Sequence, residues 1–157
     1  MRSTSFFSLI ALVALTSLAT GCAHLSDDTT RFFDQNVERQ HEEFRALPIE
    51  RQYELYRAGI LAWHPPHTRF AVDLASRGEE AVPYLLAKLE EERWDHMKER
   101  IILVLRVMTR IYGVELHKDD AVMLTLEDTV ASMDDPLYRR QSAYSLRQIA
   151  HPESRAD

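Results

Sequence analysis

Shifted by 41 residues, the second half of this chain falls on itself. Met97, Ile101, Ile102, Val104, Leu105 and Met108 land on Tyr138, Ser142, Ala143, Ser145, Leu146 and Ile149. Upstream, Val82, Leu85 and Leu89 land on Met123, Leu126 and Val130. A self-overlay near this period implies two copies of one supersecondary unit, each burying its apolar face against the other. The apolar spacing within each copy is helical, giving helices over 79–92, 95–112, 119–133 and 135–150. Asp95, Asp119 and Asp135 stand where N-caps are needed, and Pro136 suits a first helical position. No run alternates apolar and polar residues between turn signals, so no strand is expected.

The first part of the domain is helical but less regular. Phe33, Val37, Phe44 and Leu47 fall near one stripe, which predicts a helix over 30–47. Pro48 can open the next helix, which runs to about Trp63 and stops at His64-Pro65-Pro66. A short third helix runs to Arg77. After the leader only Gly59, Gly78 and Gly113 remain, two of them placed to close helices.

The residues 81–89, Ala-Val-Pro-Tyr-Leu-Leu-Ala-Lys-Leu, resemble the first helix of a HEAT-like repeat, and residues 138–149 resemble its second. The resemblance covers about 75 residues. It implies an all-α fold: a short α-solenoid of HEAT-like helical pairs, with an irregular helical cap before it. A non-repetitive helical bundle is the alternative. The expected layout is a signal peptide at 1–21, a lipidated tether at 22–29, capping helices at 30–78, two HEAT-like repeats at 79–150 and a tail at 151–157.

Charge is divided between the helices of each pair. Residues 79–92 carry −4 and 119–134 carry −5, whereas 95–112 and 135–150 each carry +2. HEAT-like arrays line their concave face with second helices, so the resemblance implies a basic groove on an acidic body. Candidate groove residues are Arg106, Arg147, Arg110, Arg100 and Arg140. An arginine fork binds carboxylate or phosphate in two-point fashion. The bland alternative is charge complementarity between neighbouring helices, each exposed pair contributing about 0–1 kcal/mol. The resemblance gives Lys98 and Arg139 a structural role.

The N-terminus carries an address. Arg2 precedes an apolar run over 6–18 that ends in Leu18-Ala19-Thr20-Gly21-Cys22. The run is too short to span a bilayer, which takes about 20 apolar residues. The five residues resemble the lipobox of bacterial lipoproteins, although Ala19 stands where leucine is commoner. The resemblance implies cleavage before Cys22 and attachment to membrane lipid through acyl chains on Cys22. Stable anchoring takes at least two chains. Ala23 is not the aspartate of inner-membrane retention, so the outer membrane facing the periplasm is expected. The mature chain of 136 residues has 18 basic and 25 acidic side chains, a net charge of −7 with histidines neutral. That balance argues against nucleic-acid binding. With the single cysteine lipidated, no thiol remains for a disulfide, zinc or nucleophilic catalysis.

No G-x-S-x-G, P-loop, G-x-G-x-x-G or H-E-x-x-H motif occurs. His64-Pro65-Pro66-His67 lacks the further ligands a metal site needs. Glu90-Glu91-Glu92 and Asp134-Asp135 read as solvated helix ends and caps. No cofactor or metal is expected. The leading expectation is a non-enzymatic envelope lipoprotein that binds a protein partner or an anionic envelope component through the groove. The alternatives are an accessory or regulatory subunit of an envelope complex and, third, a small helical hydrolase.

Overall fold

The computed structural model describes residues 25–153. Cys22, the apolar run before it and residues 154–157 lie outside the described part. Eight α-helices occur among the described residues, with no strand. They are α1 (Asp27–Phe33), α2 (Val37–Ala46), α3 (Ile49–Ala62), α4 (Phe70–Ala75), α5 (Val82–Glu91), α6 (Asp95–Tyr112), α7 (Asp120–Ala131) and α8 (Pro136–Ala150).

The second half follows the predicted boundaries closely, because its caps act locally. Asp119 accepts from the amides of Ala121 and Val122, and Asp135 from that of Leu137. Gly113 closes α6 at φ 71°, the left-handed conformation glycine enters without steric cost. Asp95 does not cap α6. Trp94 holds that position, and the Glu92 carboxylate accepts from the amides of Arg93 and Trp94 instead. Asp95 reaches forward and accepts from the Asp135 amide at 2.8 Å, tying the start of α6 to the start of α8.

In the first half, the helix expected over 30–47 is two helices. Asn36 breaks it and caps α2 by accepting from the Arg39 amide. Helix α1 begins at Asp27, capped by Ser26, inside the segment read as tether. The break folds α1 back so that Phe32, Phe33 and Phe44 all meet Phe70 on α4. Phe44 and Phe70 are stacked, with centroids 4.7 Å apart. Gly59 admits Phe33 against α3: a β-carbon there would lie 3.1 Å from its ring.

Helix α6 occupies the middle. It packs against α4 on one side and α8 on the other, while α5 packs on α6 and α7, and α7 on α8. Of the nine pairs that set the 41-residue shift, five are buried in both copies, and in the other four the second member, Met123, Tyr138, Ala143 or Leu146, is half-buried. Leu85 and Leu126, Ile101 and Ser142, Val104 and Ser145, and Met108 and Ile149 are each almost wholly enclosed. Burying a large apolar side chain contributes about 1.5–3 kcal/mol. The small Ser142 and Ser145 on α8 face that core where α6 presents isoleucine and valine.

Candidate functional site: an arginine-flanked tyrosine on helices α6 and α8

Arg106 and Arg147, equivalent under the repeat, converge on one ring. Their guanidinium carbons stand 5.8 and 6.0 Å from the centroid of Tyr144. Those distances lie at the outer limit of a cation–π contact, about 6 Å. Tyr144 is 42 % exposed, so the ring is a platform on the surface. Its hydroxyl accepts from the Gln148 side-chain amide at 2.7 Å. Arg140, Tyr144 and Arg147 share one face of α8 by their spacing.

The basic side chains sort into two groups. Among the described residues, no carboxylate lies within 4.0 Å of Arg106, Arg140 or Arg147. Nor does any ion pair join α5 to α6 or α7 to α8, so the basic helices are not neutralised by their acidic neighbours through direct pairs. Arg110 donates to the Pro152 carbonyl and holds the segment after α8 against α6. Arg100 leaves the cluster: its Nε lies 3.2 Å from a Glu99 oxygen, and its carbonyl accepts from the Tyr56 hydroxyl. Lys98 lies 4.0 Å from Asp95, and Arg139 reaches the Met133 carbonyl, both local ties.

Glu99 lies on the same stripe of α6 as Arg106 and is only 6 % exposed. Its Oε2 is the oxygen that faces Arg100 Nε, but without hydrogen-bond geometry, and no group donates to it. Burial raises its pKa above the ordinary 4.5, and the charges of Arg100 and Arg106 oppose the rise. The folded chain therefore holds this proton to higher pH than the unfolded chain does. The associated stability is present below pH 4.5 and is lost as pH rises through the raised value. Replacing Glu99 by Gln is expected to stabilise the protein at neutral pH by about 1 kcal/mol. The gain should shrink towards zero near about pH 4, in urea unfolding followed by circular dichroism. A gain that grew on acidification would contradict this sign.

The other sequence candidates resolve into structural roles. Trp63 packs on Phe33 at 4.1 Å and His67 beside it at 5.4 Å, so the His-Pro-Pro-His turn closes over an aromatic cluster. Burial and Arg69 hold His67 below the usual histidine pKa. No group of three or more His, Cys, Asp or Glu side chains suited to a metal occurs among the described residues. Glu92 departs from the expected solvated end: its side chain is 6 % exposed and pairs with Arg57 at 3.2 Å. Sequence reasoning did not single out Tyr144 as the centre of the arginine pair, although its place between Arg140 and Arg147 was a usable signal. No protein-family model matches this chain, and comparisons with curated proteins and with solved structures give no match either.

Proposed function

We propose that this chain is a lipid-anchored, non-enzymatic binding module of the bacterial cell envelope, attached through acylated Cys22 to the outer membrane and facing the periplasm. In this reading α5–α6 and α7–α8 are two stacked HEAT-like pairs, and α4, α6 and α8 form the recognition face. The row of contacts from α4 through α6 to α8 supports that arrangement, as does the matched burial of residues 41 apart.

The observation that carries the function is the pair Arg106 and Arg147, set on either helix around the exposed Tyr144 with no carboxylate within 4.0 Å of either among the described residues. Two guanidinium groups held at a ring are preorganised, so less side-chain freedom is lost when an anionic group docks. The face suits a carboxylate- or phosphate-bearing partner: an acidic segment of a protein or an anionic envelope component.

Photocrosslinking in cells tests the reading. A photoreactive residue at position 106 or 147 is expected to give one discrete adduct, and one at position 127, exposed on α7, none. Absence of adducts from both groove positions overturns the proposal. An adduct from 127 alone overturns it too and shifts the contact to the acidic α7 side.

A further inference from the structure

A second recessed site lies on α3, α5 and the turn into α6, formed by different residues. It is a cleft of about 430 Å³, inside the range of small-molecule sites, about 300–1,000 Å³. Its floor is Tyr53, 5 % exposed, set edge-on to Tyr84 with centroids 5.9 Å apart. Its rim is Trp94, 54 % exposed, the largest exposure among the aromatic side chains of the described residues, with the His96 ring beside it at 5.3 Å centroid to centroid. Neither phenol hydroxyl has a hydrogen-bond partner among the described residues. Burial, the largest cause for both, raises the pKa of Tyr53 and of Tyr84, so both hydroxyls keep their protons.

The charges in this cleft follow a logic opposite to that of the arginine face. Arg57 pairs with Glu92 at 3.2 Å, and Lys88 pairs with Glu91 at 2.6 Å while lying over the Tyr84 ring. Glu54 is taken by Arg51 at 2.9 Å. The six charged side chains of the lining, Glu54, Arg57, Lys88, Glu91, Glu92 and Arg93, sum to zero, and only Arg93 has no ion pair among the described residues, so an ionic ligand finds at most one free partner. A purely apolar ligand would leave those charged groups without water. The chemistry that fits is a neutral body with one apolar face and a rim of groups that both donate and accept. A sugar ring has that form: its C–H face stacks on an indole, and its hydroxyls bond to carboxylate lone pairs and guanidinium N–H groups that ion pairing leaves unused.

We propose that the cleft bounded by Tyr53, Tyr84 and Trp94 binds a short neutral saccharide, with Trp94 as the stacking platform and the Arg57–Glu92 pair and the Tyr53 hydroxyl as its polar contacts. The assignment is independent of the arginine face.

The test uses the full chain in detergent micelles, titrated separately with tri-N-acetylchitotriose and maltotriose. The readout is the two indole N–H signals of Trp63 and Trp94 in proton–nitrogen spectra. At least one sugar is expected to shift the Trp94 signal saturably, with a Kd near or below about 1 mM. Trp94→Ala, which lacks the indole signal and is read on the backbone amide signals of residues 84–92 in the same spectra, should raise Kd by at least about tenfold. Tyr53→Phe, which removes only the hydroxyl, should raise it about threefold or more. Arg147→Ala should leave it unchanged, and so should raising salt from about 50 to about 300 mM, because a neutral ligand carries no charge for salt to screen. Which sugar binds distinguishes an acetamido glycan from a plain glucan. The proposal is overturned by no saturable shift from either sugar up to about 20 mM, by an unchanged Kd in Trp94→Ala, or by a salt-sensitive Trp94 shift with a pentalysine peptide and none with sugars.

Discussion

Phe70→Ala is expected to remove about 3–5 kcal/mol of stability, the cost of truncating a fully enclosed phenylalanine. Phe70 is 0 % exposed and is the point where three helices meet. Phe32 of α1 lies 5.6 Å from it, Phe44 of α2 4.7 Å and His41 of α2 5.3 Å, centroid to centroid. The Arg69 guanidinium covers the ring at 4.9 Å. Truncation leaves a cavity that those three side chains, on two other helices, cannot fill without moving those helices. The melting temperature should fall by about 10 °C or more. Phe70→Leu, which keeps most of the volume, should cost about 1.5 kcal/mol or less. Denaturant unfolding of the full chain decides the matter. A cost below about 1 kcal/mol for the alanine variant would mean that α1 and α2 pack on α4 only loosely.

Asp73→Ala should produce the next largest loss, about 2–3 kcal/mol. The carboxylate of Asp73 is 4 % exposed, and its two oxygens are divided between two residues of α2. Arg45 Nε donates to Oδ1 at 2.7 Å, and His41 Nδ1 meets Oδ2. With the carboxylate gone, α2 loses both ties to α4. The two ends of the same bond should differ in cost. Arg45 is 60 % exposed and returns easily to water, so Arg45→Ala should cost less than about 1 kcal/mol. Equal, small losses from both variants would show that packing alone holds α2 in place.

What the sequence made legible, and what it did not, follows the range of the interactions involved. Helix ends in the second half could be read because Asp119 and Asp135 act within three residues of themselves and Gly113 bonds back to Met108, five residues away. Glu92 took the amides of Arg93 and Trp94 just ahead of α6, a contact that apolar periodicity does not reveal. The break at Asn36 was hidden because the apolar spacing of Phe33, Val37 and Phe44 runs through it as if one helix continued. Its cause is tertiary: Phe32 and Phe44 reach the same ring on α4. The burial of Asp73 depends on partners 28 and 32 residues upstream, and no local pattern announces it.

The candidate sites divide in the same way. Arg106 and Arg147 could be paired on the 41-residue shift alone, because α6 and α8, which carry them at equivalent positions, pack against each other. Arg100 was placed with them by charge, but Glu99 beside it and the Tyr56 hydroxyl on its carbonyl set it apart. The cleft was not legible at all. Tyr53, Tyr84 and Trp94 come from three elements with no common spacing, and each is unremarked as a residue.

Helix α6 has 18 residues and neither glycine nor proline among them. At about 1.5 Å per residue it is a straight rod about 27 Å long, without a hinge to absorb a displacement. Trp94, on the rim of the cleft, is fixed to one end. Arg106 and Arg110 ride on its last two turns. Twelve residues separate Trp94 from Arg106, so the two stand roughly 18 Å apart along the axis. The cleft and the arginine face, which share no residue, are thereby held at a constant spacing, and one molecule would have to span that length to touch both.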